Sequence, residues 1–323
     1  MSVVLVTGAG GFVGSAIVHA LVRREARFRD GDPAEVVALV QPGGSSERLA
    51  GLPDDGTWRV VRADVSERHS LEAALEGIRP RAVIHAALDR AAYEHVDEKL
   101  VREPLEILLR SMRDVPRSRF LHVGSAWVLA PGQRLDEAAR LDPVTQYARN
   151  KALQDTFLPA LADAAGVPWI NLRLFNLFGR YEREHRLIPT LVARLSRGEG
   201  VDLTHGDQIR DFNDVDVAAA AFADALAAPD DACGAVYHVG SGRGTAVREL
   251  AGLIAGILGG ESLLRFGASG AEDEGISELV ADPSRASATL GWRPDLDLEG
   301  RVREAVAWWQ ERLAARHPSE VGA

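Results

Sequence analysis

The sequence predicts an α/β fold, a doubly wound parallel sheet with a smaller C-terminal lobe. Three observations lead there. Short apolar runs alternate with helical stretches through the first half of the chain. A glycine-rich turn, Thr7-Gly8-Ala9-Gly10-Gly11, stands between the first apolar run and the first helical stretch. After Gly179 the regular alternation weakens.

The elements follow in order. Residues 3–6 read as a buried strand and 12–24 as a helix. Strands are expected at 35–40, 58–62, 81–86 and 119–123, and a sixth at 167–174 after a long helix over 147–165. The charged stretch 23–33, with Gly31 and Pro33, reads as an extended surface connection. Residues 97–113 should be an amphipathic helix with Leu100, Leu105, Leu108 and Leu109 inward. Beyond Gly179, residues 180–186 read as a charged loop, 187–197, 215–228 and 247–258 as helices, and 236–239 as a short strand. A last amphipathic helix covers 298–316, with Trp308 and Trp309 expected to pack in the core. Two parts result: residues 1–178, and a lobe of residues 179–323 partly interleaved with the first.

The chain has 323 residues, 46% of them hydrophobic, which suffices for a substantial core. Its formal net charge of −10 argues against nucleic acid or an anionic membrane as partner, since both call for clustered Lys and Arg. A few local arginines can still hold a small anion. The single cysteine, Cys233, cannot close an internal disulfide, and no Cys/His spacing suggests a metal. The apolar start is broken by the glycine turn and His19, so it reads as neither signal peptide nor membrane span. A cytoplasmic protein is expected.

The glycines have separate tasks. Gly8 permits a tight turn, Gly11 lets a pyrophosphate approach the backbone, and Gly14 lets the helix pack against the sheet. Phe12 and Val13 open the helix whose free N–H groups and dipole favour phosphate. This is the Rossmann-type arrangement, and it implies a nicotinamide dinucleotide. The acidic residue usual after the second strand, which binds the adenine ribose, is replaced by Gln41. With Ser45, Ser46 and Arg48 nearby, that tilts the choice to NADP(H) over NAD(H); Arg48 could equally be a solvated side chain.

Tyr147 and Lys151 stand four apart at the start of a helical pattern, so they share a face. A neighbouring ammonium favours the phenolate and lowers the Tyr pKa, which suits a general acid/base. Ser125, just beyond the fifth apolar strand, would face the ligand crevice and hold a substrate oxygen. Together the three residues describe hydride transfer to or from a carbonyl.

On these residues the chain resembles the extended short-chain dehydrogenase/reductases, in their nucleotide-sugar epimerase/dehydratase branch. The resemblance implies an adenine contact for Asp64 and the adjoining Val65. It makes His85-Ala86-Ala87 a cofactor-lining motif, and gives Lys151 a second task on the nicotinamide ribose. Arg173-Leu174-Phe175-Asn176 and Arg210-Asp211-Phe212 resemble stretches whose Asn176 and Arg210 would hold the diphosphate of a nucleotide sugar. Asp282-Pro283-Ser284 and Leu290-Gly291-Trp292 with Pro294 match the C-terminal signature. Glu184-His185-Arg186-Leu187-Ile188-Pro189 and Phe266-Gly267-Ala268 look most like 4-keto-deoxysugar nucleotide reductases. A homodimer through helices 97–113 and 147–165 is implied in the same way.

Departures narrow the chemistry. The dehydratases carry Asp-Glu after the catalytic hydroxyl residue, where this chain has Ala126 and Trp127. Dehydration is therefore not expected. Leu129-Ala130 replaces the usual Tyr-Gly, so the sugar pocket lined by Trp127 is altered. Glu272-Asp273-Glu274 lies near the place of a second diphosphate arginine, so either that loop is displaced, or Arg265 substitutes, or the substrate is not an ordinary sugar nucleotide. Arg180, Arg183 and Arg186 could close over an anionic substrate or form a solvated loop. The expected activity is NADPH-dependent reduction of a keto group, at C4, on a nucleotide-linked 6-deoxysugar. An NAD-dependent 4-epimerase and a non-catalytic dinucleotide sensor remain as alternatives.

Overall fold

The computed structural model describes residues 1–269 and 276–316. Its central sheet has seven parallel strands: β1 (Ser2–Thr7), β2 (Ala34–Val40), β3 (Trp58–Arg62), β4 (Ala82–His85), β5 (Arg119–Ser125), β6 (Trp169–Leu174) and β7 (Ala235–Val239). They lie in the order β3-β2-β1-β4-β5-β6-β7. The winding reverses between β1 and β4. Such a reversal opens a crevice at the carboxyl ends of the strands.

The helices are α1 (Phe12–Arg23), α2 (Arg68–Leu75), α3 (Glu98–Met112), α4 (Gln146–Ala165), α5 (Leu187–Leu195), α6 (Val215–Ala227), α7 (Val247–Leu258), α8 (Ser284–Thr289) and α9 (Leu298–Arg316). Strand side chains alternate between two cores, which explains the unbroken apolar runs. Val4, Val6, Ala82 and Ile84 meet α1 and α6 on one face. Leu5, Val83 and Phe120 meet α2, α3 and α4 on the other. Both β7 and α6 come from beyond residue 179. A separate core of Leu191, Ile254, Val306 and Trp309 joins α5, α7 and α9.

Local chemistry sets the ends of α4. The Thr145 hydroxyl accepts the Ala148 N–H at 3.1 Å, and Gly166 ends the helix in the left-handed region at φ 67. Arg119, buried at the base of β5, donates to the last carbonyls of α6, Ala225 at 2.7 Å and Ala228 at 2.8 Å. Among the described residues no helix is long and apolar enough to cross a membrane.

Several expectations need correction. The 23–33 connection is packed: Phe28 is buried, the Arg81 guanidinium lies 4.2 Å over its ring, and Arg27 pairs antiparallel with Pro33. β5 continues through Ser125, which is its last residue. α5 stops at Leu195, because Gly198 at φ 69 turns the chain. Leu100 is only half-buried; Val101 and Pro104 take the inward face with Leu105. Trp309 is a core residue as expected, and Trp308, partly buried, packs against the same core while meeting Tyr181 edge-on.

Candidate active site

The crevice starts at the glycine turn. Gly11 is the N-cap of α1 and no side chain caps it, so the first-turn amides are left for a ligand. A Cβ on Gly14 would stand 2.2 Å from the Gly8 carbonyl oxygen, so the helix can approach this closely only with glycine. Gly8 has φ 67, and a Cβ there would lie 2.8 Å from Ala87 N. Thr7 Oγ1 meets His85 Nδ1 at 2.8 Å and accepts the Ala87 N–H at 3.2 Å, tying the end of β4, with Ala86, to the turn. This bare backbone cradle, with Phe12 and Val13 half-buried above it, fits a dinucleotide pyrophosphate.

The ends of β2 and β3 meet through side chains. Gln41 Nε2 donates to Asp64 Oδ2 at 3.0 Å, while Ser66 donates to Asp64 Oδ1 through N at 3.0 Å and Oγ at 2.7 Å. Burial opposes ionisation of Asp64, but these hydrogen bonds prevail and hold its carboxyl below the usual range. Val65 beside it is half-buried. Ser45 is exposed and its hydroxyl accepts the Glu47 N–H at 3.1 Å. Arg48 turns toward the glycine turn: Nη1 donates to the Gly10 carbonyl at 2.9 Å and the guanidinium lies 6.0 Å from the Tyr181 ring centre.

The structure brings Ser125, Tyr147 and Lys151 into one neighbourhood. Ser125 ends β5, accepts the Trp127 N–H at 3.3 Å and lies close enough to Tyr147 to favour its ionisation. Lys151 is buried, and its Nζ donates to the Val123 carbonyl at 2.9 Å. Burial pulls its ammonium down to about 8, against the opposing pull of Asp155. The Tyr147 phenol is pushed up to about 12 by burial and then by Tyr93, with Ser125, Arg186 and Arg183 acting the other way. The expected lowering of Tyr147 by Lys151 is thus not found. The ammonium is turned to Val123, and desolvation of the phenol dominates.

Tyr93, in the turn Arg90–Tyr93 after β4, stacks on Tyr147. Arg183 lies 4.9 Å over the other side of the Tyr93 ring. Asn150, buried between Tyr147 and Lys151 on α4, holds this turn: Nδ2 donates to Ala92 and His95 carbonyls at 2.8 Å each. The 180–186 loop is pinned at its start, at Arg180, Tyr181 and Glu182, while Arg183, Glu184, His185 and Arg186 are exposed. Arg180 pairs with Asp216 at 3.0 Å, and Tyr181, at φ 63, packs on Trp308 with centroids 4.7 Å apart. Arg312 lies 5.1 Å over Tyr181 and pairs with Glu47 at 2.9 Å. Arg186 meets Glu182 at 3.4 Å, and burial pushes the Glu182 carboxyl up to about 7.

The expected substrate residues line the same end of the sheet. Trp127 is half-buried, and the buried Arg210 places its guanidinium 5.8 Å from the Trp127 ring centre. Asn176 is half-buried, and its buried amide Oδ1 has no hydrogen-bond partner among the described residues. Arg265 is bound to Asp202 at 2.6 Å, so it does not stand free as a substitute diphosphate ligand. Glu272-Asp273-Glu274 lies outside the described residues. Among those described, no three His, Cys, Asp or Glu side chains gather as metal donors.

Sequence reading missed Tyr93, Asn150, Asp155 and Glu182 as parts of the site. One available signal was composition: of 37 basic residues only Lys99 and Lys151 are lysines. Arginine is otherwise used throughout, so a buried lysine marks a task that arginine cannot perform.

Residues 4–240 match the family described as "NAD dependent epimerase/dehydratase family". A dTDP-L-rhamnose 4-epimerase of Burkholderia thailandensis is 27% identical, the match covering 96% of this chain and 95% of that protein. A dTDP-glucose 4,6-dehydratase of Actinoplanes sp. is 29% identical over 95% of this chain and 97% of its own. Among solved structures, the dTDP-glucose 4,6-dehydratase DesIV of Streptomyces venezuelae, with NAD bound, superimposes with a TM-score of 0.82 at 25% identity, covering 98% of this chain and 99% of that one.

Proposed function

The chain belongs to the NAD-dependent epimerase/dehydratase family and is an enzyme of the short-chain dehydrogenase/reductase type; from that premise we propose that it is a nucleotide-sugar 4-epimerase acting on a 6-deoxysugar. One observation carries the reading. Ser125 is followed by Ala126 and Trp127, neither of which can take up or release a proton to eliminate water. That leaves oxidation and reduction at one sugar carbon. The apolar Trp127 face suits a methyl group better than a hydroxymethyl group, in keeping with the relative named for dTDP-L-rhamnose.

The residues divide the work. Gly8, Gly11, Phe12, Val13 and Gly14 would hold the pyrophosphate, and Gln41, Asp64 and Val65 the adenosine. When bound, the nicotinamide supplies the hydride acceptor and donor. Tyr147 Oη would act as the phenolate that a nearby Lys151 ammonium favours: having given up its own proton to solvent, it would take the proton of the C4 hydroxyl during oxidation and return it on reduction. Ser125 Oγ holds that oxygen between the two steps. Lys151 keeps a positive charge under the site. Asn176, Arg210 and Arg186 would anchor the diphosphate, spending remote binding energy on orientation. The pinned Tyr181 loop supports a dinucleotide kept through the whole cycle, because Arg48, Tyr181 and Arg312 bridge the glycine turn to α9. NAD(H) is then the fitting cofactor.

A second reading, the NADP(H)-dependent 4-ketoreductase, is favoured by Gln41 standing where a carboxylate would repel a 2′-phosphate. Mass spectrometry of the dinucleotide released on denaturation separates the two. Bound NAD(H), with interconversion of a dTDP-6-deoxysugar and its C4 epimer without added cofactor, supports the epimerase. An empty site with turnover only on added NADPH supports the reductase.

A further inference from the structure

Beneath the Ser/Tyr/Lys group lies a buried charged network to which the steps above assign no task. Asp155 is one helical turn beyond Lys151 on α4, on the same face. Its side chain and that of Arg173 are each 6% exposed. The Asp155 carboxylate accepts from Arg173 through Nε at 2.9 Å and Nη2 at 2.8 Å, and from Asn171 Nδ2 at 2.7 Å. Arg173 and Asn171 lie on β6, in register with Gly124 and His122 of β5. Gly124 directly precedes Ser125. A Cβ there would stand 2.3 Å from Asn171 Oδ1 and 3.0 Å from Arg173 Cγ. The network therefore presses on β5 at the residue before Ser125 and grips α4 one turn after Lys151.

We propose that Asp155 is a positioning residue: bound to Arg173 and Asn171 of β6 on the Lys151 face of α4, it locks that helix onto β5 and β6 so that Lys151, Tyr147 and Ser125 share one register. The proposal rests on the reading of Lys151 as part of the proton-transfer site.

The surroundings of Lys151 support this. From β5 it faces His122 and from β4 His85, both buried. Burial and the Lys151 charge hold both imidazoles neutral, His85 down to about 3 and His122 well below its ordinary value. From β6 comes a second cation, Arg173, which also acts on His122. On α4 itself only Asp155 raises Lys151 against the desolvation that lowers it. Without Asp155, two buried cations would face two neutral rings. The signs follow. Asp155→Asn keeps the shape and removes the anion, so Lys151 loses its proton at lower pH. Arg173→Gln releases the Asp155 carboxylate from its ion pair to act on Lys151, so Lys151 keeps its proton to higher pH.

The chain's two lysines make this directly readable. Protein carrying ¹³C-labelled lysine gives two side-chain signals, with Lys99 as internal control. The Lys151 midpoint should fall by roughly one unit in Asp155→Asn and rise in Arg173→Gln. The alkaline limb of kcat/KM should move with it, and Asp155→Glu should restore the wild-type midpoint. An unchanged midpoint in Asp155→Asn overturns the proposal, as does movement of both variants in the same direction, the mark of a packing defect. If Asp155→Asn does not fold, Arg173→Gln decides alone: an upward shift supports the proposal, and no shift or a downward one overturns it. The titration needs no substrate, so failure of the sugar assignment and failure of this proposal are separately visible.

Discussion

Tyr93 stacks on Tyr147 with ring centroids 5.0 Å apart and planes 18° from parallel. The contact joins the turn after β4 to the helix that carries Lys151. Asn150 holds the turn in place from within the Tyr-x-x-x-Lys span, and Arg183 covers the outer ring face. The result is a phenol whose surroundings disfavour ionisation.

Removing the outer ring tests this arrangement. Tyr93→Ala should raise KM by up to about tenfold, the worth of one aromatic pair, with a smaller change in kcat. Steady-state kinetics on whichever nucleotide sugar the protein turns over give both values. A fall in kcat with KM unchanged would mean that Tyr93 acts in the proton transfer rather than as a wall of the site.

Tyr147→Phe removes the proton carrier and little else. Turnover should drop about 10²- to 10⁴-fold while dinucleotide binding, followed by fluorescence, is retained. Turnover near wild type would sink the assignment of Tyr147 as the acid/base.

Glu182 makes stability depend on pH. Its folded-state value of about 7 lies above the ordinary 4.5. The folded protein therefore binds the extra proton between these values. The Glu182 contribution is complete below pH 4.5 and is lost as pH rises through 7, at a cost of up to about 3 kcal/mol. Glu182→Gln should flatten that decline, so its Tm gain over wild type grows from pH 5 to pH 8. A gain equal at both pH values would contradict a buried, titrating Glu182.

The glycine turn gives a graded pair. Gly14→Ala places a methyl 2.2 Å from the Gly8 carbonyl and should cost about 1–3 kcal/mol, weakening dinucleotide binding as well. Gly31→Ala meets only open space at φ 84 and should cost about 1 kcal/mol, with binding unchanged. Chemical denaturation and cofactor titration of the two variants check the contrast. Equal loss of cofactor affinity would show that Gly14 matters for backbone strain alone.

Much of this fold was legible because its signals are local. The apolar runs of β1, β2, β4 and β5 are short and β-branched, and the glycine turn has one physical solution between a strand and a helix. Ser125, Tyr147 and Lys151 were legible by type and spacing. Phe28 was not, because burial under Arg81 is a contact between distant segments. Nor was the strap of Arg48, Tyr181 and Arg312, whose members come from three separate stretches of chain.

The sequence by itself determined the order of strands and helices, the phosphate cradle, the hydroxyl pair and the lack of an acid after Ser125. These follow from backbone sterics and from which side chains can carry a proton, and both are properties of neighbours along the chain. Tertiary structure alone decided the charge state of the site. Lys151 is drawn down to about 8 and Tyr147 pushed up to about 12 because packing strips water from both, and ionisation in a dry site is set by whichever groups the fold brings near.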